Sequence, residues 1–404
     1  MELYEFVKLH SGDDPADIVL HRDRWPEVDA VLAAECVAAR RKLRYKVPEW
    51  VEEERLVFPS SLSAEQCSGT LSARYKASLA AATGARRIAD LTGGLGVDCW
   101  QFSKVADSVL YNDADTALAD AARSNLSVLG CRNVEVSACG ISSSTLPPVL
   151  DRFSPDLVYI DPSRRDGSGR KVFLPEDCSP DVFELQDIVL DRGCRLLLKL
   201  SPMADISLVA SRLGALKEVH AVQAGGECKE LLFLLEPGFK GDYSVKAVNC
   251  GTEPAASFRF LPSEEKGAAP AFISMPPLPG EFIFEPGPAL AKCGAFRLVG
   301  ERFSMSALGP SSHLYVADKP VKALDGLGKW FRVEAARPFG KASMKEFAGK
   351  WPDAEVSARS LPLSSDALRK SMGVKGGGSI HVFGVSSAAG RLLIAAGRCS
   401  PDLR

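Results

Sequence analysis

Residues 87–236 constrain the fold most strongly, because short β-branched or leucine-rich runs alternate there with helix-length amphipathic segments. This alternation is typical of βαβ units, which build a parallel sheet. Residues 223–230, between the last two runs, are too few for a crossover helix, so we expect an antiparallel hairpin there. The predicted strands are Ile88–Leu91, Ser108–Asn112, Val134–Ser137, Leu157–Ile160, Arg195–Leu200, Glu218–Val222 and Leu231–Leu235. The sequence therefore predicts five parallel strands followed by a hairpin.

A glycine-rich turn follows the first predicted strand and opens a helix. It reads Asp-Leu-Thr-Gly-Gly-Leu-Gly-Val-Asp over residues 90–98. Because glycine has no Cβ, the backbone of such a turn can approach a ligand closely, which favours a nucleotide-type cofactor. The third glycine of a dinucleotide fingerprint would fall at Cys99, which argues against NAD or FAD. An ordinary glycine-rich βα turn without a ligand is the alternative.

Asp113 ends the second predicted strand and is the candidate ribose ligand. An ionised carboxylate offers several acceptors and no donor, so it can bind both hydroxyls of a ribose. The alternative is that Asp113, like Asp115, only begins a helix, where the dipole favours an acid. The third predicted strand exits through residues 137–140, Ser-Ala-Cys-Gly, which include no acid. Backbone amides would therefore have to hold an adenine.

The fourth predicted strand is followed by Asp161, Pro162, Ser163, Arg164 and Arg165. The proline stiffens the turn beside the carboxylate, which suits a group that must be aligned with a substrate. The two arginines can stack on a base or hold phosphate, and the alternative is an exposed pair that bridges to Asp166 or Glu176. Lys199 lies near the carboxyl end of the fifth predicted strand, at the sheet edge where open α/β sheets bind ligands.

Together, the glycine turn, Asp113, the 161–165 loop and the Lys-Leu-Ser-Pro-Met run at 199–203 resemble bacterial class I S-adenosylmethionine-dependent methyltransferases with a C-terminal THUMP-like domain. The glycine turn is also similar to that of small-subunit ribosomal RNA guanine-N2 methyltransferases. The resemblance implies an α/β, Rossmann-like, seven-stranded sheet with helices before it and small ferredoxin-like and THUMP-like α/β domains after it. The expected domains are helical (1–80), methyltransferase (81–240), linker with ferredoxin-like (241–318) and THUMP-like, RNA-binding (319–404).

The resemblance also implies roles for single residues. S-adenosyl-L-methionine is the expected cofactor, and its candidate ligands are Asp90, Thr92, Gly93, Gly94, Gly96, Asp98 and Asp113. Asp161, with the turn at Pro162, is expected to accept a hydrogen bond from the attacking nitrogen during a direct in-line transfer. The candidate substrate contacts are Ser163, Arg164, Arg165 and Lys199. Ser163 and Arg164 depart from the family loop, which has a second proline and then an aromatic residue. The polar stretch Glu65–Ser68 is a candidate lid over the cofactor.

The C-terminal part of the chain is basic. Residues 291–404 carry 18 Lys and Arg against 9 Asp and Glu, whereas the rest carries 31 against 42. A basic module joined to an acidic body indicates an anionic partner, and nucleic acid is the commonest one. Because THUMP-type modules bind structured RNA, the resemblance predicts tRNA or rRNA as the partner. A solvated basic face without a partner is the alternative.

Neither a metal site nor a membrane span is expected. The eleven cysteines form no C-x-x-C pair, and the five histidines are scattered. No apolar run approaches the ~20 residues that a span needs. Because the N-terminus lacks the pattern of an export signal, we expect a cytoplasmic enzyme with reduced thiols.

The predicted function is S-adenosylmethionine-dependent methylation of a base nitrogen in RNA. One alternative is a methyltransferase that acts on a small molecule or a protein. The other is a noncatalytic RNA-binding protein that keeps a relic cofactor site. The sequence does not identify the RNA, the base or the oligomeric state.

Overall fold

The computed structural model describes residues 1–163 and 178–399, and its N-terminal part is helical, as the sequence predicts. The helices there are α1 (Leu3–Leu9), α2 (Pro15–Leu20), α3 (Ala30–Leu43), α4 (Pro48–Glu52), α5 (Ser61–Gln66) and α6 (Thr70–Ala82). Arg40 on α3 donates hydrogen bonds to backbone carbonyls between Val51 and Leu56. These bonds satisfy carbonyls that no helix pairs, and so fix the chain that follows α4.

The predicted parallel strands are confirmed. They are β1 (Arg87–Asp90), β2 (Ser108–Asp113), β3 (Val134–Ala138), β4 (Leu157–Ile160) and β5 (Arg195–Leu200). Strand β1 pairs in parallel with β2 and β4, β2 with β3, and β4 with β5. Every residue of β4 is buried, as expected for a central strand covered on both faces. The helices of this part are α7 (Val97–Phe102), α8 (Thr116–Val128), α9 (Leu146–Phe153), α10 (Val182–Leu190) and α11 (Ile206–Ala210).

The predicted terminal hairpin is also present. Strands β6 (Leu216–Ala224) and β7 (Glu227–Leu235) are joined by Gly225 and Gly226, which have φ values of 60° and 83°. Strand β7 pairs antiparallel with β5. Two further strands, β8 (Ser244–Asn249) and β9 (Ala256–Phe260), extend the sheet to nine strands in the order β3-β2-β1-β4-β5-β7-β6-β8-β9. Seven strands were expected in this sheet. Residues 241–290 are rich in proline and glycine, so the short strands β8 and β9 show no clear strand pattern in the sequence.

The C-terminal part forms a second, seven-stranded sheet in the order β11-β12-β10-β13-β16-β15-β14. Its strands are β10 (Phe282–Pro286), β11 (Ser306–Ala307), β12 (Tyr315–Ala317), β13 (Gly328–Pro338), β14 (Glu355–Arg359), β15 (Ile380–Ser387) and β16 (Gly390–Arg398). The helices are α12 (Pro262–Gly267), α13 (Pro288–Cys293), α14 (Phe296–Arg302), α15 (Lys341–Lys350) and α16 (Ser365–Met372). Phe347, Leu368 and Met372 bury α15 and α16 against the sheet. The α/β class expected for this part of the chain is thus confirmed.

The chain divides into two compact units, Met1–Val219 with Lys229–Asp242, and His220–Cys228 with Tyr243–Arg404. The division falls inside the β6–β7 hairpin and again after Asp242, close to the predicted limit at residue 240. The predicted limits at residues 80, 240 and 318 stay a prediction. Within the described residues, no helix is long and apolar enough to cross a membrane. The described parts of the chain likewise bring together no group of His, Cys, Asp and Glu that could hold a metal ion.

Candidate functional site

The glycine turn adopts a backbone that needs glycine. Gly94 and Gly96 have φ values of 55° and 88°, in the left-handed region that side chains with a Cβ disfavour. A Cβ on Gly93 would lie 2.2 Å from Cε2 of Tyr111, so this position tolerates no side chain. A Cβ on Gly94, by contrast, would meet no atom within 4 Å. The turn therefore packs tightly on β2 through Gly93 and leaves space beside Gly94.

Asp113 contacts the glycine turn directly. The Gly94 N–H donates a hydrogen bond to Asp113 Oδ2 at 2.8 Å, and the Asp115 N–H donates to Asp113 Oδ1 at 2.9 Å. Asp115 is the N-cap of α8, where it accepts from Ala117 and Leu118. Asp113 is only half-buried, so its carboxylate keeps acceptor capacity for a ligand. The structure thus brings Gly94 and Asp113, two of the predicted cofactor residues, into contact. Asp115 has a different role, as the N-cap of α8.

Asp90 has one carboxylate oxygen without a partner. The residue is 0% exposed, and its Oδ1 accepts a hydrogen bond from the Thr92 N–H at 3.2 Å. Its Oδ2 is buried and has no hydrogen-bond partner among the described residues. Burial, followed by the nearby carboxylate of Asp98, raises the pKa of Asp90 well above its ordinary value. This orphaned oxygen fits a role in receiving a cationic group of a ligand.

Asp98 points into the protein. Its Oδ2 accepts hydrogen bonds from the Ser68 hydroxyl at 2.8 Å and the Tyr159 hydroxyl at 2.9 Å. Its Oδ1 lies 3.1 Å from the ammonium of Lys76. Burial alone would raise the pKa of Asp98, but the charges of Lys76 and Lys199 outweigh it and hold this pKa below its ordinary value. Direct contact between Asp98 and a cofactor stays a prediction, because protein groups already engage both oxygens.

Asp161 and Lys199 form an ion pair at the carboxyl edge of the sheet. Lys199 Nζ donates to Asp161 Oδ2, and the two side chains are 13% and 34% exposed. Burial would lower the pKa of Lys199, but Asp161, Glu230 and Asp98 outweigh it and raise that pKa. The Asp161 N–H donates to Thr92 Oγ1 at 2.7 Å, which joins the end of β4 to the glycine turn. The carboxylate is thus held next to the predicted cofactor turn, in an orientation that Lys199 fixes.

The remaining predicted substrate contacts are only partly described. Pro162 is buried, and exposed Ser163 pairs with Ser179 through two backbone hydrogen bonds of 2.8 and 3.1 Å. Arg164 and Arg165 lie outside the described residues, so their predicted role stays a prediction.

Three residues of this neighbourhood were not predicted as site residues: Lys76, Asn112 and Glu230. Asn112 is fully buried; its side chain donates to the Cys139 carbonyl at 2.8 Å and accepts from the Cys139 N–H at 3.0 Å. Because the Cys139 amide is already paired, an adenine held by backbone would have to use a later amide of that loop. One signal in the sequence could have pointed to Lys76, because this charged residue shares a face of α6 with Ala73, Ala77 and Ala80.

The Glu65–Ser68 stretch contacts this site through Ser68. Ser68 is buried and hydrogen-bonded to Asp98, and Lys46 donates to backbone carbonyls in residues 64–67. Burial raises the pKa of the Cys67 thiol to about 11. These contacts fix the stretch against the protein interior, and its role as a lid stays a prediction.

The residues of this edge fit an adenosine-bearing ligand with a cationic end, as expected of S-adenosyl-L-methionine. The half-buried Asp113 carboxylate suits the ribose, the space beside Gly94 suits a chain that approaches the backbone, and the orphaned Asp90 oxygen suits an ammonium group.

Two family models match the C-terminal part of the chain. A ferredoxin-like domain matches residues 282–324, and a THUMP-like domain matches residues 328–398. Both were expected there.

Full-length relatives are also similar to this chain. A methyltransferase of Mycobacterium tuberculosis, described as uncharacterized and S-adenosylmethionine-dependent, is 26% identical over 315 residues, which cover 76% of this chain and 81% of the relative. The crystal structure of a candidate methyltransferase from Porphyromonas gingivalis W83 is 29% identical, with a TM-score of 0.86 over 98% of each chain. The expected fold class is thereby confirmed for the whole chain.

Proposed function

The protein is an S-adenosylmethionine-dependent methyltransferase with a THUMP-like C-terminal domain, and we propose that it methylates a base nitrogen in RNA. The observation that carries the proposal is the hydrogen bond of 2.7 Å between the Asp161 N–H and Thr92 Oγ1. This bond holds a carboxylate that can accept from an amine next to the turn assigned to the methyl donor. Asp161 and its neighbours Thr92 and Lys199 therefore form the proposed catalytic edge.

The proposed donor ligands are Asp113 for the ribose hydroxyls, the backbone of Gly93, Gly94 and Gly96 for close approach, and Asp90 for the ammonium group. Asp90 has a buried oxygen free of any described partner, and an incoming cation would satisfy it. Thr92 holds the turn against Asp161, and Asp98 fixes the helix that follows the turn. When bound, S-adenosyl-L-methionine supplies the methyl group on its sulfonium sulfur.

The proposed role of Asp161 is to orient the attacking nitrogen. The carboxylate accepts a hydrogen bond from an N–H of the base and so aligns the nitrogen lone pair with the methyl group. Lys199 fixes the carboxylate by pairing with Oδ2. The proton of the attacking nitrogen leaves to water once the methyl group has been transferred, so the ion pair stays intact. Pro162 stiffens the backbone on the far side of Asp161.

A basic face on α15 and α16, within the second unit, supports RNA as the substrate class. Five exposed lysines define this lysine face: Lys341, Lys345, Lys350, Lys370 and Lys375. None of their side chains forms an ion pair or hydrogen bond with a residue that the structure describes, and Lys350 lies 4.5 Å from the Trp351 ring centroid. Unpaired lysines beside a half-exposed aromatic ring suit phosphates and an unstacked base.

Contacts between α15, α16 and the segment after α16 bring these lysines onto one surface. The Ser371 hydroxyl on α16 contacts Met344 Sδ on α15 at 3.8 Å, and the Lys375 N–H donates to the Pro352 carbonyl at 2.9 Å. The acids on the two helices are already paired, Glu346 with Arg337 at 3.2 Å and Asp366 with Arg369 at 3.7 Å. The lysine charges are therefore available to an external anion.

Methyl transfer into RNA from a strain that lacks the gene tests this proposal. Purified protein with tritiated S-adenosyl-L-methionine should label that RNA and leave RNA from the parent strain unlabelled, because the latter is already methylated. Asp161→Ala should lower the rate by about 100-fold or more, since the acceptor for the amine is lost. Asp151→Asn is the matched control, because it removes only an exposed pair with Arg192.

The outcomes separate the proposal from its rivals. Labelling of a small molecule or a protein, with none in RNA, would assign the methyltransferase to another substrate class. Donor binding without labelling of any cellular RNA, protein or metabolite would favour an RNA-binding protein with a relic site.

A further inference from the structure

The ammonium of Lys76 lies in a buried polar cluster that joins the N-terminal helices to the proposed donor site. Lys76 is 0% exposed, and its Nζ lies 2.8 Å from Ser68 Oγ, 3.1 Å from Asp98 Oδ1 and 2.9 Å from Glu230 Oε2. Ser68 in turn donates to Asp98 Oδ2 at 2.8 Å. We call these four residues the Lys76 cluster. They come from α6, the segment before it, α7 and β7.

Asp98 is the member of the cluster that lies next to the glycine turn in the sequence. It follows Gly96 by two residues, so a shift of its carboxylate moves the end of the glycine turn. The Tyr159 hydroxyl donates to the same oxygen as Ser68, at 2.9 Å. Tyr159 lies on β4 two residues before Asp161, and its carbonyl accepts from the Leu91 N–H at 3.1 Å. Asp98 is therefore tied to the glycine turn and to the strand that ends in Asp161.

We propose that Ser68 and Lys76 are positioning residues for methyl-donor binding: they fix the Asp98 carboxylate and thereby hold the glycine turn in its donor-binding form. The N-terminal helical segment then contributes to the donor site through its contacts with Asp98. The inference rests on the donor-binding part of the proposed function and is independent of the RNA substrate.

Two features favour positioning over simple burial. Ser68 gives Asp98 a directed hydrogen bond while accepting one from Lys76, so a single hydroxyl sets the geometry of both charged groups. The two Asp98 oxygens face different partners: Oδ2 accepts hydrogen bonds from Ser68 and Tyr159, whereas Oδ1 has no hydrogen bond among the described residues and makes an ion pair with Lys76. A site whose groups are locked in this way binds its ligand without reorganisation.

A second buried bridge in the same unit provides a matched control. Asn125 on α8 accepts from the Val57 N–H at 2.8 Å and donates to the Val57 carbonyl at 2.7 Å. It too ties the N-terminal helical segment to the sheet domain, but through Val57, which lies in neither the glycine turn nor the Lys76 cluster. Asn125→Ala should therefore lower stability without changing the affinity for the donor.

The experiment is a double-mutant cycle on the binding of S-adenosylhomocysteine, measured by calorimetry on full-length protein. The variants are Ser68→Ala, Asp98→Asn, the double variant and Asn125→Ala, with thermal melts to establish that each is folded. Ser68→Ala should weaken binding about tenfold, as expected for a lost hydrogen bond to a charged group. The double variant should bind no more weakly than Asp98→Asn alone, because Ser68 acts through Asp98. Ser68→Thr, which keeps the hydroxyl, should recover most of the affinity.

Three results would overturn the inference: wild-type affinity in folded Ser68→Ala, effects of Ser68→Ala and Asp98→Asn that multiply, or an equal loss in Asn125→Ala. If Ser68→Ala does not fold, Lys76→Met with Glu230→Gln replaces it in the cycle, since this pair removes one charge of each sign. Absence of binding by the wild-type protein overturns the proposed function as well. Binding by the wild type with any of the three results above overturns the inference alone.

Discussion

Thr92 accepts a hydrogen bond from the backbone N–H of Asp161 at 2.7 Å, and so joins the loops that follow two adjacent parallel strands. One loop carries the glycine turn assigned to the donor, and the other carries the carboxylate assigned to the acceptor. Thr92→Val keeps the shape of the side chain and removes the acceptor oxygen. We expect methyl transfer to fall about tenfold while the affinity for S-adenosylhomocysteine changes little, because the donor contacts remain. Equal losses in both measurements would contradict this division of roles.

Asp113→Ala should weaken S-adenosylhomocysteine binding by about 10- to 100-fold, because the ribose loses a charged acceptor. Calorimetry measures the change directly. Asp115→Ala is the control: it removes the N-cap of α8 and should lower the free energy of unfolding by about 1 kcal/mol while binding persists. Similar affinities for wild type and Asp113→Ala would remove Asp113 from the site.

Asp90 should make the ligand-free protein less stable as the pH rises. Burial and the carboxylates of Asp98, Asp161 and Asp113 raise its pKa in the folded state, so the folded protein binds this proton more tightly than the unfolded chain does. The free energy of unfolding therefore loses this contribution as the pH rises above about 4, the ordinary Asp pKa, towards the raised value. Asp90→Asn should remove this dependence and be at least as stable as wild type at pH 8 in urea denaturation, yet bind the donor more weakly. A larger stability deficit of Asp90→Asn at pH 8 than at pH 4 would argue against a protonated Asp90.

Neutralising the lysine face should weaken RNA binding uniformly and lower its salt dependence. Lys341, Lys345, Lys370 and Lys375 changed together to Gln should reduce the slope of log K against log salt by about 0.7 for each phosphate that the variant no longer neutralises. The same four positions changed to Arg keep the charge and serve as the control. A slope unaffected by the Gln variant, measured by filter binding from 50 to 200 mM salt, would place the RNA elsewhere.

Gly93→Ala should disrupt the glycine turn, because its Cβ would lie 2.2 Å from the Tyr111 ring. Overpacking of this kind costs about 1–3 kcal/mol and should abolish donor binding. Gly349→Ala on α15, where a Cβ meets no atom within 4 Å, should leave donor binding intact and raise stability slightly through helix propensity. Thermal melts and calorimetry on the two variants provide the comparison.

The parts of the fold with strong local patterns were predictable from the sequence. The β-branched and leucine-rich runs predicted strands β1 to β5, because a covered parallel strand is largely apolar. The short separation of the last two runs predicted the antiparallel hairpin of β6 and β7. Serine is a common N-cap, and the Ser364 hydroxyl accepts from the Ala367 N–H at 3.1 Å at the start of α16. The contact of Asp113 with Gly94 also followed in outline, since the carboxyl ends of neighbouring parallel strands meet at one edge of the sheet.

The features of the fold and the site that could not be predicted depend on contacts between distant parts of the chain. The ion pair of Lys76 with Glu230 joins residues 154 positions apart, and no local pattern marks the partner of a buried lysine. For the same reason the contacts of Asp98 with Ser68, Tyr159 and Lys76 were not predicted. Strands β8 and β9 were hidden by prolines and glycines that lie between and after them.

Lys76 and Glu230 are in contact but lie 154 positions apart in the sequence, which limits the order in which a newly made chain can fold. At about 5–20 residues per second, a ribosome needs roughly 8 to 30 seconds to travel from one codon to the other. During that interval the lysine lacks one of its two acidic partners and stays solvated, so α6 cannot be sealed into the interior until β7 has left the exit tunnel. Helix α6, although it is synthesised early, thus reaches its final packing only after β7 has been made.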